Sequence, residues 1–274
     1  MKKTIKFIAI AIISAITLFS VFFAISPIKR TAFVSGESSA SYENAAKPKK
    51  RKPELPEGIN NVISVKPFFI KDGEPAAAVL TGEGELYKQN VKIYVCQGNK
   101  ILYEIKAEDG YSPEINFFRF EKEKPFLFYS SQTGGSGGYG NYTVYDLAKI
   151  DYKILYDVNK DDAGFTAEFV SDGRMKLTDG ADGNELIVDV SYMDKDFYSQ
   201  IFDENGNPKG EAANVNGVSA AFPYYNGATG LFGLITYRSV TAVAEVNNLG
   251  YITQNLAWDG KAFSPVFTDF AIAI

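Results

Sequence analysis

The chain reads as an all-β domain carried behind one N-terminal apolar helix, and three observations predict it. From residue 62 to residue 272, period-two alternation and short β-branched or aromatic runs recur. Gly, Asn and Asp clusters interrupt those runs, supplying the positive φ angles of tight turns. No helical period of convincing length follows residue 58, whereas nineteen residues from Phe7 to Ile25 carry only apolar side chains, two serines and one threonine.

That first segment is expected to be a signal peptide or a retained membrane anchor. At about 1.5 Å rise per residue it matches the roughly 30 Å hydrocarbon thickness of a bilayer, and it holds no charge to desolvate. Lys2, Lys3 and Lys6 precede it, and Lys29 and Arg30 follow. Residues 1–30 therefore form the export element, with the domain expected outside the membrane or secreted. The only cysteine, Cys96, lies far downstream, so lipid attachment at an N-terminal cysteine is excluded. Residues 31–57 turn to Ser, Ala, Glu, Pro and Lys, with Lys47, Lys49, Lys50, Arg51 and Lys52 interleaved with Pro48, Pro53 and Pro56. Such a segment cannot bury enough apolar surface to fold and reads as an extended basic linker.

Residues 58–274 hold 18 basic and 29 acidic residues, a formal charge of −11. That balance argues against nucleic acid as a partner. The first strand candidates are Val62 to Ile70, Ala76 to Leu80, Val91 to Cys96 and Ile101 to Ile105, with turns at KDG 71–73 and EDG 108–110. Asn116 to Phe120, Phe126 to Ser130, Tyr142 to Leu147 and Lys153 to Val158 follow, rich in aromatic residues. Thr166 to Val170 and Met175 to Leu177 flank SDG 171–173, and Glu185 to Val190 and Ser199 to Phe202 come before DENGN 203–207. Gly230 to Tyr237, Gly250 to Ala257 and Phe263 to Ile272 close the chain, the last two around WDG 258–260. Strands this short and evenly spaced suggest a propeller of roughly five small blades, with β-sandwich packing as the alternative.

Two runs, FLFYSSQTGGSGGYGNYTVYDL from Phe126 and GLFGLITYRSVTAVAEVNNLGYITQNLAWDGKAF from Gly230, resemble exported, uncharacterised Gram-positive proteins labelled as carrying VCBS or FG-GAP repeats. The resemblance implies propeller blades and no known reaction. The calcium loop of such blades resembles D-x-D-x-D-G, and here Asp162 stands where the turn glycine belongs.

Asp157, Asn159 and Asp161 at alternate positions, with Glu168 twelfth in count, are the residues that would wrap a hard cation, so calcium is the one cofactor the sequence admits. An ordinary polar turn explains them as well. Gly134-Gly135-Ser136-Gly137-Gly138 matches G-x-S-x-G, yet the chain has no histidine and a strand follows the loop, so a Ser-His-acid nucleophile is excluded. The glycine loop reads as a hairpin tip or a close backbone approach. Lone Cys96 is expected to be a small buried hydrophobe.

Two function classes remain. One is a non-catalytic surface module, tethered or secreted, that binds a protein or cell-wall polymer through hairpin loops 133–140 and 223–230, using Ser136, Tyr139, Tyr224 and Tyr225. The other is an extracellular hydrolase working with carboxylates alone, for which Glu168, Asp172, Glu185 and Asp189 are available.

Overall fold

The computed structural model describes residues 55–272 apart from 71–72, 123, 136–137, 149 and 162–163, with the side chains at 245 and 246 also left out. The apolar segment 7–25, the basic cluster 47–52 and Ser136 lie outside the described residues.

The all-β expectation holds: among the described residues fifteen strands form three antiparallel sheets, none closed. The pairing builds sheets of eight, three and four strands, not repeated four-stranded blades. The largest sheet runs β1 (Val62–Phe69), β2 (Pro75–Glu83), β3 (Tyr87–Gln97), β4 (Lys100–Lys106), β5 (Gly110–Phe118), β6 (Phe126–Gln132), β7 (Gly140–Leu147) and β8 (Tyr152–Asp157). Strand β3 carries three partners: besides β2, its C-terminal half pairs β4 from Lys92↔Lys106 to Gln97↔Lys100, while Tyr87↔Tyr111 and Lys88↔Gly110 pair its start with β5.

Strands β6 and β7 are buried on both faces, and their alternate residues feed different cores. Leu127, Tyr129, Tyr145 and Leu147 join Leu80, Ile93 and Ile115 in a first core. Phe126, Phe128, Tyr142 and Val144 point the opposite way into a second. Period-two geometry alone requires this split. The neighbouring aromatics divide by the same rule, Phe117 stacking on Phe68 at 4.8 Å while Phe118 packs against Phe232 at 5.0 Å.

The four-stranded sheet comprises β12 (Ala213–Asn226), β13 (Leu231–Ala242), β14 (Ala244–Trp258) and β15 (Phe263–Ile272). One end of its inner face, Leu234 and Leu256, completes the second core. The other end, Val240, Leu249 and Ile252, forms a third core with the three-stranded sheet β9 (Thr166–Val170), β10 (Arg174–Thr178) and β11 (Glu185–Asp189). The three-residue β9–β10 loop, residues 171–173 between the paired Val170 and Arg174, places Asp172 and Gly173 at φ 63° each, a left-handed conformation that Gly and Asp tolerate.

Two expectations need correction. Ser199 to Phe202 is not a strand: Lys195–Ile201 forms α1, a seven-residue helix, capped by Asp194 Oδ1, which accepts from the backbone N–H groups of Asp196 and Phe197. Its four-residue spacing puts Phe197 and Ile201, and Tyr198 and Phe202, against the third core. Conversely, β12 is a fourteen-residue strand where only a loop at 223–230 is expected. Pro223 pairs with Leu234 there because β12 is an edge strand, which needs no outward N–H donor at that position. The hairpin turn is confined to residues 227–230.

Candidate functional site

A cleft of about 420 Å³ opens where β7, the turn after β8 and the middle of β12 and β13 converge. Each wall has a local cause. Loop 133–139 is closed by Thr133, whose backbone N–H and hydroxyl both donate to the Tyr139 carbonyl at 3.0 and 2.9 Å. Gly134 is required because a Cβ there would come within 2.7 Å of the Tyr111 ring, and its φ of +81° is itself a glycine conformation. The glycine loop is thus a close backbone approach at Gly134. Gly140 is held likewise, since a Cβ would lie 2.5 Å from the Tyr142 hydroxyl.

The opposite wall is a bulge. The register of β12 against β13 slips between Val215 and Val218 and again before Ala220, so Asn216 and Gly217 leave the ladder and line the cleft. Asn216 Nδ2 donates to Ser239 Oγ at 3.0 Å and to Thr241 Oγ1 at 3.4 Å. Across the opening, buried Asn141 donates to the Asp109 carbonyl and to Ser131 Oγ.

The floor is an ion pair that spans two sheets. Arg238 on β13 is 4% exposed, and its Nη2 lies 2.5 Å from Asp161 Oδ1. Nη1 and Nη2 also donate to the Asp161 backbone carbonyl at 3.2 and 3.3 Å. The second carboxylate oxygen of Asp161 accepts from the Tyr156 hydroxyl at 2.7 Å. Burial, then the Asp161 charge, pushes the Tyr156 phenol far above its ordinary value. Arg238 Nε is buried with no hydrogen-bond partner among the described residues.

The cation-loop residues are only partly brought together. Asp157 Oδ1 caps the short 3-10 turn Val158–Lys160 by accepting from Asn159 N–H, and Oδ2 pairs with Lys160 at 3.3 Å. Asp161 is held by Arg238 and Tyr156, and Glu168 turns to Lys176 at 2.5 Å. Among the described residues no cluster of three or more His, Cys, Asp or Glu side chains is arranged to hold a metal. Asn159, Asp161 and Tyr139 line the cleft. Tyr224 and Tyr225 do not: the Tyr224 ring covers Gly233, and Tyr225 packs on Phe232 at 5.5 Å at the far end of the hairpin.

The four hydrolase candidates all carry structural bonds. Lys176 sits between Glu168 and Glu185, Asp172 pairs with Arg174, and Asp189 accepts from the Ser191 backbone N–H at 2.8 Å. Bonds from Ser191 hold the Asp189 carboxyl below its ordinary value. Cys96 is buried, which raises its thiol pKa.

Fold and cleft together define an open-sheet β protein with a polar-lined cleft between a large N-terminal sheet and a C-terminal sheet pair. Residues 163–271 match the family model described as the YybI C-terminal domain, which covers β9 to β15. Over 212 residues the chain is 20% identical to the uncharacterised protein YybI of Bacillus subtilis, with 74% of this chain and 81% of that protein covered. The similarity is therefore to uncharacterised Gram-positive proteins, and VCBS or FG-GAP repeats are not shown by it. No solved structure matches the chain. The cleft takes residues from both sides of the match, Thr133 to Asp161 before it and Val215 to Arg238 within it.

Proposed function

We propose that the chain is a non-catalytic, exported or membrane-tethered surface module whose cleft binds a neutral, polyhydroxylated cell-wall polymer. The observation that carries this reading is the lining: amides of Asn141, Asn159 and Asn216, the Thr133 hydroxyl and the half-exposed Tyr139 ring, over a charge pair already neutralised internally. The Asn159 amide can both donate to and accept from sugar hydroxyls, the Asn141 and Asn216 amide oxygens can accept while their Nδ2 groups bond within the protein, and the Tyr139 ring offers its face to a pyranose. Export rests on the apolar segment 7–25, since among the described residues no helix is long and apolar enough to cross a membrane. We read the layers as sandwich-like, without five blades, and the reading requires neither calcium nor VCBS repeats. The carboxylate-only hydrolase draws no support from the bonds of Glu168, Asp172, Glu185 and Asp189.

The test is retention of the purified full chain on insoluble peptidoglycan and calorimetric titration with N-acetylglucosamine oligomers. Retention that falls about tenfold in Tyr139→Ala and in Asn216→Leu is expected, the loss of one stacking or hydrogen-bonding group in a small site. Equal retention of the three proteins, or none by any of them, overturns the reading.

A further inference from the structure

A second groove, of about 440 Å³, lies between β11 and β15, the outer strands of two different sheets. Both strands are edges, so each has a row of backbone N–H and C=O groups with no strand beside it among the described residues. Buried Leu177 and Ile252 floor the groove, and Leu186, Val266 and Phe267 stand exposed on its rims, Val266 and Phe267 by 63% and 57%. Val266 is the extra residue of a bulge, since Phe267 pairs Asn255 and Pro265 pairs Leu256. The charge on this groove has one sign. Asp179, Asp182, Glu185 and Asp269 line it, and no lysine or arginine does. Among the described residues Glu185 pairs with Lys176 at 3.3 Å, shared with Glu168, and Asp179, Asp182 and Asp269 form no ion pair.

Exposed apolar residues between two strand edges invite another strand, and the acids decide which one is accepted. A second copy of this domain would bring its own acids edge to edge with these, on a domain of formal charge −11, and like charges at such an edge oppose association. A segment with cationic and apolar side chains in alternation suffers no such repulsion. Its apolar side chains would cover Leu186, Val266 and Phe267, and its cations would face Asp182, Glu185 and Asp269, with buried Asp179 adding to the negative field beneath them. We infer that the β11–β15 groove is a docking site for an extended, lysine- or arginine-bearing peptide, held by strand addition to one or both edges. This site is separate from the cleft, so its failure and the failure of the wall-polymer reading are distinguishable.

Fluorescence anisotropy of the full chain with a labelled decapeptide of alternating valine and lysine tests it, beside the same peptide with glutamate for lysine. Binding of the lysine peptide only, weakened about tenfold between 20 and 200 mM salt, is expected because the screening length of exposed charges shortens from about 20 Å to about 7 Å over that range. Asp182→Lys with Asp269→Lys should weaken binding about tenfold or more, Phe267→Ser by several-fold, and Tyr139→Ala not at all. Circular dichroism of each variant guards against misfolding, and Thr268→Ser serves as a mild control at the same strand. Equal binding of both peptides, full binding by the charge-reversed variant, or dimerisation of the free chain that Phe267→Ser abolishes would each overturn the inference.

Discussion

The first core and the inner face of β12–β15 are both built from antiparallel strands, yet among the described residues only the second buries a charged side chain. Between β1 and β7 the packed set is apolar, Ala78, Leu80, Val91, Ile93, Val95, Ile105, Ile115 and Leu127 among it, with Tyr129 donating its hydroxyl to the Glu108 carbonyl, and the buried polar residues there, Thr81, Ser131, Asn141 and Thr143, are all neutral. Along β13 the inward positions read Leu234, Thr236, Arg238, Val240 and Ala242. Thr236 and Arg238 fall between the second core and the third, with Gln254 beside Thr236 across the ladder. The difference teaches where a site can form in such a fold. Apolar burial stabilises each end of the sheet, and the polar gap between them costs stability unless a partner satisfies it. The cleft opens at that gap, above Arg238.

The comparison breaks most visibly by mutation of the apolar region. Leu127→Ala, fully buried between strands packed on both faces, should cost about 2–5 kcal/mol in urea unfolding, the range for a large-to-small change with a residual cavity. A loss under about 1 kcal/mol would mean that the first core relaxes far more than close packing allows.

At the polar gap, Arg238→Met should cost about 3 kcal/mol, because it leaves the Asp161 carboxylate, which also accepts from the Tyr156 hydroxyl, without its cation in a largely buried place. The sharper measurement is the double variant Arg238→Met with Asp161→Leu. It should recover more than half of that loss, since removing both partners leaves no charge behind. No recovery would show that the pair acts through something other than mutual compensation.

Alkaline unfolding separates the aromatic residues of the two regions from ordinary surface tyrosines. Burial holds the Tyr145 phenol neutral in the folded chain, its value pushed up to about 12, and Tyr156 is pushed further by burial and Asp161. The unfolded chain ionises these phenols near 10, so it binds fewer protons than the folded chain above that pH. Their contribution is complete below pH 10 and falls by about 1.4 kcal/mol per pH unit for each phenol, for Tyr145 until about pH 12. Tyr145→Phe should flatten the slope between pH 10 and 12, and an unchanged slope would remove Tyr145 from the account.

The smallest effect belongs to the outer strands. Lys176→Met removes the cation between Glu168 and Glu185 on a solvated face and should leave the urea midpoint nearly unchanged. A clear fall in that midpoint would mean that the three-stranded sheet depends on this bridge rather than on Met175 and Leu177 beneath it.

Much of the strand pattern was legible because it depends on neighbours in the chain. FLFYSSQ and NYTVYDL alternate and carry β-branched and aromatic residues, and they form β6 and β7. SDG at 171–173 is a tight turn for the same local reason. Strand β12 was not legible, since ANVNGVSAAFPYYN mixes Asn, Gly and Pro with small residues that propensity assigns to loops. Pairing along β13 overrides that preference, and its bulge is what exposes Asn216. Arg238 left one readable sign, an arginine in phase with Leu234 and Val240 on an otherwise inward-facing row.

The sequence by itself determined the β class, the turns at residues 171–173, 203–207 and 258–260, the exclusion of histidine chemistry and the expectation of export, because each follows from composition or from residues within a few positions of one another; at EDG 108–110, expected as a tight turn, no residue takes a positive φ and β4 and β5 pair β3 instead of each other. Tertiary structure decided how many sheets form, which face of β6 and β7 serves which core, and that Asp161 meets Arg238 seventy-seven residues away. Such pairings depend on which surfaces bury one another, and a periodicity of two marks two faces without saying what each will cover.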